Sequence, residues 1–350
     1  MILTSFSYKS ESWSLPSLAP LQQTNLLVGM NATGKTKTIM ALHNVAAFMQ
    51  SQALLFGDRS FSTSMEFTES EGVFSKMHYS FEVFRNVIVS EHFSVDGVQI
   101  IKRRGSSAFY RKDKIDPPLG RLVVQIRRDR TAYPEIEKLM SWIEGVMSLS
   151  CSDINHVTIL NFQNDYIKPI SFNELVNSLT AEEKKSMFKN AKDLGYDIVD
   201  MIPIDVSGSK IVSVKERGAR REFWDVNLSS GMLRVLYLLC YMEYLKHDNK
   251  TSLLLIDDIG EGLDYNRSTK LGKMIFEACE KDGMQLIASS NDSFLMDVVD
   301  ISKWQVLRRR GSEVRSLNES NSENLFRQFR LTGLSNFDLF SSDFIDSHIQ

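Results

Sequence analysis

The stretch Gly29-Met-Asn-Ala-Thr-Gly34-Lys35-Thr36 decides how this sequence is interpreted. It matches the phosphate-binding pattern G-x-x-x-x-G-K-[ST] at every fixed position. The residues just before it, Asn25-Leu-Leu-Val28, form a short apolar run of strand type. From Lys35 to about Gln50 the apolar residues have helical spacing. Strand, glycine loop and helix in this order predict a phosphate-binding loop.

The residues of this loop have distinct expected roles. Its glycines let successive backbone N–H groups point at phosphate oxygens, and the new helix adds its positive N-terminus. We expect Lys35 to reach the β- and γ-phosphates and the Thr36 hydroxyl to hold Mg²⁺. Lys37 either contacts the α-phosphate or points to solvent. The expected nucleotide contacts are Gly29, Asn31, Ala32, Thr33, Gly34, Lys35, Thr36 and Lys37.

Composition limits the class of protein. The chain has 350 residues, 43% of them hydrophobic, which suffices for one large domain or two modest ones. A net charge of -3 does not indicate a nucleic-acid or membrane binder. Cys151, Cys240 and Cys279 are widely spaced, which favours core packing in a reducing cytoplasm. No export signal and no apolar run of about 18 residues is present, so we expect a cytoplasmic protein without a membrane partner.

The pattern of apolar and polar residues changes along the chain. Residues 60–112 alternate apolar and polar side chains between glycines, which predicts an antiparallel β lobe. Helical patterns cover residues 134–149, 173–179 and 181–194. Later strands alternate with helices, which predicts a mostly parallel sheet with its ligand at the strands' C-terminal ends. We expect a split core at residues 1–60 and 205–317, an inserted β lobe plus helical region at 61–204, and a C-terminal helix and tail at 318–350.

Two further motifs fit a nucleotide site. The apolar run Leu253-Leu-Leu-Ile ends in two acids, of which Asp257 is placed to orient Mg²⁺ through water and Asp258 to polarise an attacking water. Upstream, Leu228-Ser229-Ser230-Gly231 opens a helix. Its serines are explained either as helix N-caps or as phosphate contacts at a helix N-terminus.

In their order and spacing, these motifs resemble the ATP-binding-cassette (ABC) family of ATPases, and most of all its SMC, RecF and OLD-type branch. Heads of that branch carry Asn at the third loop position (here Asn31), a Leu-Ser-x-Gly signature and an acidic strand. Gly262-Leu263-Asp264 stands where they have a D-loop. The likeness covers roughly the first 50 residues and residues 205–317. It implies an α/β, ABC-ATPase-type P-loop fold with a mostly parallel core sheet, an antiparallel β lobe and an inserted helical region.

The resemblance also implies a mechanism. Two heads form a head-to-tail homodimer, in which the signature of one, Ser229, Ser230 and Gly231, covers the ATP·Mg²⁺ on the phosphate loop of the other. Ser230 and the helix N-terminus would complete the charge shell around the γ-phosphate. Hydrolysis then releases the dimer.

The sequence departs from the family pattern at catalytic positions. Asp258 stands where the family usually has a Glu as general base, so slow hydrolysis is expected. Glu261 is nearby and either substitutes for it or lies on the surface. Asn291 replaces the expected switch His and can hydrogen-bond a phosphate or water but cannot carry a proton. Gln125, at the end of a strand-like run, is the candidate for the Mg²⁺-sensing glutamine.

The sequence leaves the partner open. It has neither a coiled-coil arm nor room for an appended nuclease domain. Such heads resemble stand-alone ATPase subunits of bacterial anti-phage and toxin–antitoxin-like systems, so a separate effector or toxin is expected. The tail, residues 331–344, either folds back on the core or docks that partner. Basic clusters keep nucleic acid as an alternative ligand. The rival hypotheses are a nucleotide-dependent scaffold that hardly hydrolyses ATP and a DNA repair or recombination ATPase of RecF type.

Overall fold

Strands and helices alternate along the later part of the chain, as the sequence pattern predicts. The computed structural model describes residues 1–51, 59–69, 74–150, 158–163, 166–248 and 251–341. Its strands are β1 Ile2–Ser10, β2 Ser14–Leu18, β3 Thr24–Val28, β4 Phe61–Thr68, β5 Lys76–Phe84, β6 Val87–Val95, β7 Val98–Arg104, β8 Ser107–Tyr110, β9 Asp113–Ile115, β10 Val146–Ser150, β11 Thr158–Gln163, β12 Tyr166–Ile170, β13 Ile198–Val206, β14 Ser209–Glu216, β15 Phe223–Trp224, β16 Leu253–Asp257, β17 Gln285–Ser289, β18 Trp304–Arg310 and β19 Glu313–Leu317. Its helices are α1 Lys35–Ser51, α2 Val123–Ile126, α3 Pro134–Glu144, α4 Phe172–Ser178, α5 Ala181–Asp193, α6 Ser230–Asp248, α7 Tyr265–Lys281, α8 Ser293–Val298, α9 Glu323–Thr332 and α10 Asn336–Ser341.

The centre of the molecule is a run of parallel strands in the order β10-β16-β17-β3-β18. Every residue of β3, β16 and β17 is buried. Parallel strands are covered on both faces, which explains why they read as continuous apolar runs in the sequence. Their carboxyl ends meet at one edge of the sheet, so the segments that follow them are brought together there. The predicted α/β class with a mostly parallel core is confirmed.

The antiparallel β lobe, β4 to β9, is a continuation of the same sheet. β4 pairs with β1, with Phe6 opposite Met65, and β1 pairs with β2. β2 in turn lies beside β19 of the core. Buried and accessible residues alternate along β4, which is the pattern that predicts a half-buried strand. The lobe is therefore antiparallel as expected, although it shares one sheet of 16 strands with the core.

Two hydrophobic cores lie on the two faces of the parallel strands. Successive residues of a strand point to opposite faces, and on β3 Leu26 and Val28 join one core while Leu27 joins the other. The first core is shared with helices α6 and α7. The second is shared with α1, α3 and the β lobe. Helix α1, which follows the phosphate loop, is thus packed between the core sheet and the lobe.

The segment after α3 differs from its expected structure. The sequence pattern predicts a helix from Pro134 to about Leu149, but α3 ends at Glu144 and β10 follows. β10 joins the core in parallel with β16, and its last residue, Ser150, is opposite Asp257. The helix prediction is wrong here because a short apolar run fits both periods. The core sheet therefore includes β10, which lies in the segment that the sequence analysis assigns to the insert at residues 61–204.

A smaller sheet and the C-terminal helices cover the face that α6 occupies. The antiparallel strands β13, β14 and β15 form this second sheet. In the C-terminal helices α9 and α10, Phe326, Phe329 and Leu339 are buried in the α6–α7 core. Within residues 331–344, Leu339 is buried while Leu331 and Leu334 are exposed, so both alternatives for the tail stay open, and Phe344 lies outside the described residues.

Two composition-based expectations can be compared with the structure. Cys240 and Cys279 are free and buried, as core packing predicts, and burial raises the pKa of both thiols. Cys151 lies outside the described residues. Among the described helices, none combines the length and the apolar character needed to cross a bilayer.

Candidate functional site

The phosphate loop, residues 29–36, joins β3 to α1. Ala32 and Gly34 have positive φ angles of 63° and 109°, a conformation that turns the backbone sharply and that glycine adopts most readily. A Cβ on Gly29 would lie 2.9 Å from the Leu307 carbonyl oxygen. The hairpin β18–β19 therefore packs directly against the loop, and a larger residue at position 29 would push the two apart.

Lys35 begins helix α1 and is only 5% exposed. Its Nζ donates hydrogen bonds to the carbonyl oxygens of Gly29 at 2.7 Å and Met30 at 3.2 Å. Burial lowers the pKa of this amine, while the carboxylates of Asp258 and Asp257 act in the opposite direction. A buried ammonium enclosed by its own loop is the arrangement expected of a group that binds phosphate.

Asp257, the last residue of β16, lies beside the phosphate loop. Thr36 Oγ1 donates to Asp257 Oδ1 at 3.2 Å, and Ser289 Oγ donates to the same oxygen at 2.6 Å. Hydroxyl and carboxylate oxygens are the ligands that Mg²⁺ prefers, together with phosphate oxygens and water. Thr36 and Asp257 therefore fit the metal role expected of them. Among the described residues, no cluster of three or more His, Cys, Asp or Glu side chains offers another metal site.

Asp258 follows in a strained backbone conformation. Its φ of 55° is rare for a residue with a side chain. Its backbone N–H donates to Ser289 Oγ at 2.9 Å, and its Oδ1 lies 3.5 Å from Asn291 Nδ2. Strained residues of this kind concentrate at functional sites. The two predicted catalytic side chains, Asp258 and Asn291, thus lie together at the edge of the sheet.

The charges around Asp258 change its acidity. Burial, followed by the carboxylates of Asp257 and Glu261, raises the pKa of Asp258 to about 6. Lys35 and Arg234 oppose this rise. A carboxyl group with this pKa can exchange a proton near neutral pH, which a general base must do.

Glu261 lies in the turn between β16 and α7 and is exposed. Its charge contributes to the raised pKa of Asp258, and its backbone carbonyl accepts a 2.7 Å hydrogen bond from Arg234 Nη1. Three residues later, Asp264 caps α7 by accepting from the Arg267 N–H at 3.0 Å. The D-loop, residues 262–264, is therefore fixed at both ends.

The signature residues begin helix α6. Ser229 Oγ accepts a 3.3 Å hydrogen bond from the Met232 N–H, so Ser229 acts as an N-terminal cap. Ser229 is exposed and Ser230 is half-buried, whereas Gly231 is buried against the D-loop. Capping and ligand contact are compatible, because both serine side chains are accessible from outside the protomer and the helix N-terminus favours anions.

The remaining expected loop contacts are accessible. Asn31, Ala32 and Lys37 are exposed, and Thr33 is half-buried. Arg309, from β18, approaches the Ala32 carbonyl oxygen at 3.4 Å. The hairpin thus places a cation beside the loop that the sequence alone does not indicate.

Gln125 is not part of this site. It lies in α2, not in a strand, and its Nε2 donates to the carbonyl oxygens of Phe48 and Met49 at 2.7 and 3.1 Å. Phe48 is near the far end of α1, roughly 20 Å from Lys35 at the rise of an α-helix. The expectation that Gln125 senses Mg²⁺ is therefore wrong, because its amide caps the end of α1 opposite the phosphate loop.

Two more residues of the candidate site were missed from the sequence. Ser289 is fully buried and joins Asp257 to the backbone of Asp258. It ends a buried strand next to the acidic one, and that position was the available signal. No local sequence pattern indicates that Arg234, on α6, belongs to the site, because its contact with the segment at the D-loop depends on tertiary packing.

The basic clusters are only partly available to a nucleic acid. Arg103 is buried, and its guanidinium donates to the carbonyl oxygens of Gly105 at 2.8 Å and Pro118 at 3.0 Å. Arg128 pairs with Glu137 at 2.6 Å. Arg308–Arg310 ends β18, and Arg309 and Arg310 are exposed. Arg103 and Arg128 have partners within the protein, which argues against nucleic-acid binding by their clusters.

Solved structures of similar fold are head domains of SMC proteins. An SMC head bound to the C-terminal winged-helix domain of ScpA is 13% identical, with 93% of this chain and 100% of that chain covered and a TM-score of 0.57. The SMC head domain from Thermotoga maritima is 12% identical, with coverages of 91% and 99% and a TM-score of 0.50. The head from Pyrococcus furiosus with an extended coiled coil, bound to the C-terminal domain of ScpA, is 11% identical, with coverages of 94% and 99% and a TM-score of 0.51.

These similarities concern the fold alone, since the identities are low. The chain has the fold of an SMC head, which is an ABC-type ATPase fold. No protein-family model matches the sequence, and the search of curated proteins found no match.

Proposed function

We propose that this protein binds ATP with Mg²⁺ and hydrolyses it, as an ATPase subunit with an SMC-like head. The observation that carries the proposal is the meeting of Lys35, Thr36 and Asp257 at one edge of the sheet, with Thr36 Oγ1 3.2 Å from Asp257 Oδ1. A buried lysine on a phosphate loop and an oxygen pair for Mg²⁺ are the parts that phosphoryl transfer requires.

Each residue has a role in this mechanism. Lys35 and the loop N–H groups bind the phosphates, and the helix N-terminus stabilises their charge. Thr36 and Asp257 would hold Mg²⁺, which would supply charge neutralisation on the phosphates. Asp258 accepts the proton of the attacking water, and Asn291 orients that water through its amide. Glu261 contributes, after burial and Asp257, to the raised pKa of Asp258 and is the secondary candidate for the base.

We further propose that two protomers form a head-to-tail homodimer around two nucleotides. The accessible hydroxyls of Ser229 and Ser230 support this arrangement, because their own protomer does not enclose them. A second copy can place its phosphate loop against this helix N-terminus, which then completes the shell around the γ-phosphate.

The dimer is proposed to regulate a separate effector protein, with bacterial anti-phage defence as the setting. Two SMC heads of similar fold are bound to ScpA domains, so heads of this fold take protein partners. The exposed side chains of Leu331, 83% accessible, and Leu334 offer an apolar contact at the C-terminal helices. Partner identification by co-purification from the native host tests this part.

A second candidate function is a nucleotide-dependent switch that hardly turns over. It is favoured by Asp258, whose shorter side chain replaces the usual Glu, and by Asn291, which cannot carry a proton. In this case ATP binding drives dimerisation and release is slow.

ATP turnover by purified protein separates the two functions. We expect Mg²⁺-dependent hydrolysis that falls at least about 100-fold in Lys35→Ala and Asp258→Asn. Lys185→Ala removes an exposed lysine on α5, outside the site, and is the matched control, with turnover close to wild type. Equal turnover in wild type and Asp258→Asn would contradict the proposal that this protein is an ATPase. DNA-stimulated hydrolysis at low salt would instead favour the RecF-type alternative.

A further inference from the structure

An exposed apolar patch lies directly before the signature. Phe223, Trp224 and Val226 are 41%, 44% and 68% exposed, and the signature begins at Leu228. Large apolar side chains that are grouped on a surface mark binding sites, whereas single exposed ones need no explanation. This group therefore requires a partner, and the signature beside it is proposed to contact a nucleotide.

The position of Trp224 relative to the signature is fixed by short-range hydrogen bonds. Trp224 ends β15, which pairs with β14. A 3₁₀ turn, Asp225–Asn227, follows. In this turn Asp225 Oδ1 accepts from the Val226 N–H at 3.0 Å, and the Asp225 carbonyl oxygen accepts from the Leu228 N–H at 3.1 Å. The indole is therefore carried by the same hydrogen-bonded segment as the serines of the signature.

Strand geometry separates Trp224 from Phe223. Successive residues of a strand point to opposite faces. Phe223 is opposite Val214, a fully buried member of the α6–α7 core, so Phe223 lies on the core side of the small sheet. Trp224 is opposite Ser213, on the other face. The indole is therefore the aromatic group of this patch that is turned away from the core.

The separation of Trp224 from the signature fits the size of a nucleotide. Three residues of 3₁₀ turn and three extended steps place its Cα atom at most about 16 Å from that of Ser230, at rises of about 2.0 and 3.3 Å per residue. An extended ATP molecule has a comparable length from its γ-phosphate to its base. In the proposed dimer Ser230 contacts the γ-phosphate of the nucleotide on the partner's phosphate loop. An indole at this distance can reach the base of that nucleotide.

Aromatic side chains on the strands beside the phosphate loop are held in the core of their own protomer. Trp304, on β18 next to β3, is fully buried. Tyr8 and Trp13 are each 8% exposed, with ring centroids 5.3 Å apart, and Tyr8 also stacks on Phe61 at 5.5 Å. These rings contribute to packing and present little surface to a ligand. The exposed indole of a second protomer is the better candidate to stack on the base.

We propose that Trp224 stacks on the base of the ATP held by the phosphate loop of the second protomer. This adds a base-binding residue to the phosphate and Mg²⁺ contacts and places it on the opposite chain. The inference rests on the proposed head-to-tail dimer. Because stacking on an aromatic ring tolerates different bases, Trp224 increases the affinity for nucleoside triphosphates without selecting adenine.

The first test compares the steady-state kinetics of wild type, Trp224→Ala and Trp224→Phe. Removal of the ring should raise KM for ATP and for GTP about tenfold, as expected for the loss of one stacked base. Trp224→Phe keeps an aromatic face and should recover most of the affinity. Phe109→Ala is the matched control, because Phe109 is 41% exposed on β8 of the β lobe, outside the site. Its KM should stay within about twofold of wild type.

Inorganic tripolyphosphate distinguishes stacking on the base from a change in the phosphate site. This anion carries the phosphates of ATP without a base, so it should inhibit hydrolysis by competing for the phosphate loop. Its inhibition constant should be the same in wild type and Trp224→Ala. A merely structural effect of the substitution on the signature would raise both this constant and KM for ATP, which would overturn the proposal.

A mixing experiment shows from which chain the indole comes. Lys35→Ala has an inactive loop but an intact Trp224. In a mixed dimer with Trp224→Ala, the one active loop faces the intact indole of the other chain. Mixing should therefore add a component with the wild-type KM that neither variant shows alone. If subunit exchange is demonstrated and KM stays at the Trp224→Ala value, the indole does not act across the dimer and the proposal is wrong.

The outcomes separate this inference from the proposed function. Wild type that neither binds nor hydrolyses ATP contradicts both. If wild type binds ATP without turnover, dissociation constants replace KM in the same comparisons and decide the stacking. An active wild type whose KM is unchanged in Trp224→Ala contradicts the stacking alone and leaves the patch to an effector protein. A raised KM with unchanged tripolyphosphate inhibition, restored by mixing, supports the proposal.

Discussion

Asp258 combines a strained backbone with a perturbed carboxyl group. Its φ of 55° places the side chain beyond the end of β16, and its pKa is raised to about 6 from an ordinary 3.8. The charged form is therefore disfavoured in the folded protein. The same feature makes the residue a usable base near neutral pH and a source of instability above pH 6.

The first prediction concerns pH. Below about pH 6 the Asp258 carboxyl of the free enzyme is protonated and cannot accept a proton, so kcat/KM should fall about tenfold per pH unit. Because the folded-state pKa lies above the unfolded one, stability is lost as pH rises from about 4 to 6. Asp258→Asn should thus melt about 2 °C higher than wild type at pH 7.5 and equally at pH 4, by calorimetry. An acidic limb that persists unchanged in the residual activity of Asp258→Asn would contradict the assignment.

The second prediction concerns Ser289. Its hydroxyl donates to Asp257 Oδ1 at 2.6 Å and accepts from the Asp258 N–H at 2.9 Å. Ser289→Ala should raise the Mg²⁺ concentration needed for half-maximal turnover about tenfold, because Asp257 loses its orientation. Ser289→Thr keeps the hydroxyl and should retain most activity.

A suitable control is Ser316→Ala, another buried serine, whose hydroxyl donates to Gln305 at 2.6 Å. It should lose a comparable amount of stability, about 1 kcal/mol, without a change in Mg²⁺ dependence. If both variants show the same Mg²⁺ dependence as wild type, Ser289 is only a packing residue.

At the scale of elements, the phosphate loop depends on the hairpin beside it. The Leu307 carbonyl of β18 approaches Gly29 so closely that a Cβ would sit 2.9 Å from it. Gly29→Ala should therefore cost about 1–3 kcal/mol and weaken ATP binding more than tenfold. Gly120→Ala is the control, since its Cβ would meet an ordinary contact at 3.5 Å from Asn86. Calorimetry and titration with an ATP analogue measure both effects.

The elements that were predicted well are those whose apolar pattern fits only one type of secondary structure. β16 is a continuous buried run and β5 alternates over its length, so both were located from the sequence. β10 was misread because a short apolar run after α3 fits a helix or a strand. Gln125 was misplaced for a related reason, since a short run before a glutamine resembles a strand end.

The residues of the site were predictable where they belong to a local motif at the end of a buried strand. Lys35, Thr36, Asp257 and Asp258 follow from local motifs, and the structure brings them together. Arg234 could not be found in this way. Its contact joins residues 27 positions apart through the packing of α6 on the D-loop, and no local pattern encodes that distance.

For the whole molecule, the head-to-tail arrangement makes a mixing prediction. Lys35→Ala and Ser230→Arg should each abolish turnover, because one lacks the phosphate contact and the other blocks the signature. In a mixed dimer, the intact loop of one chain meets the intact signature of the other. An equal mixture should regain about a quarter of the wild-type activity. Activity that stays at zero after subunit exchange has been demonstrated would contradict the composite site.

The placement of the tryptophans has a spectroscopic consequence. Trp13, Trp142 and Trp304 are at most 8% exposed, whereas Trp224 is 44% exposed and lies four residues before the signature. Iodide should therefore quench mainly the emission of Trp224, and the protein has a native fluorophore where a second protomer is proposed to bind. Addition of ATP should shield this indole and shift its emission to the blue, which would allow assembly to be followed in real time without a label.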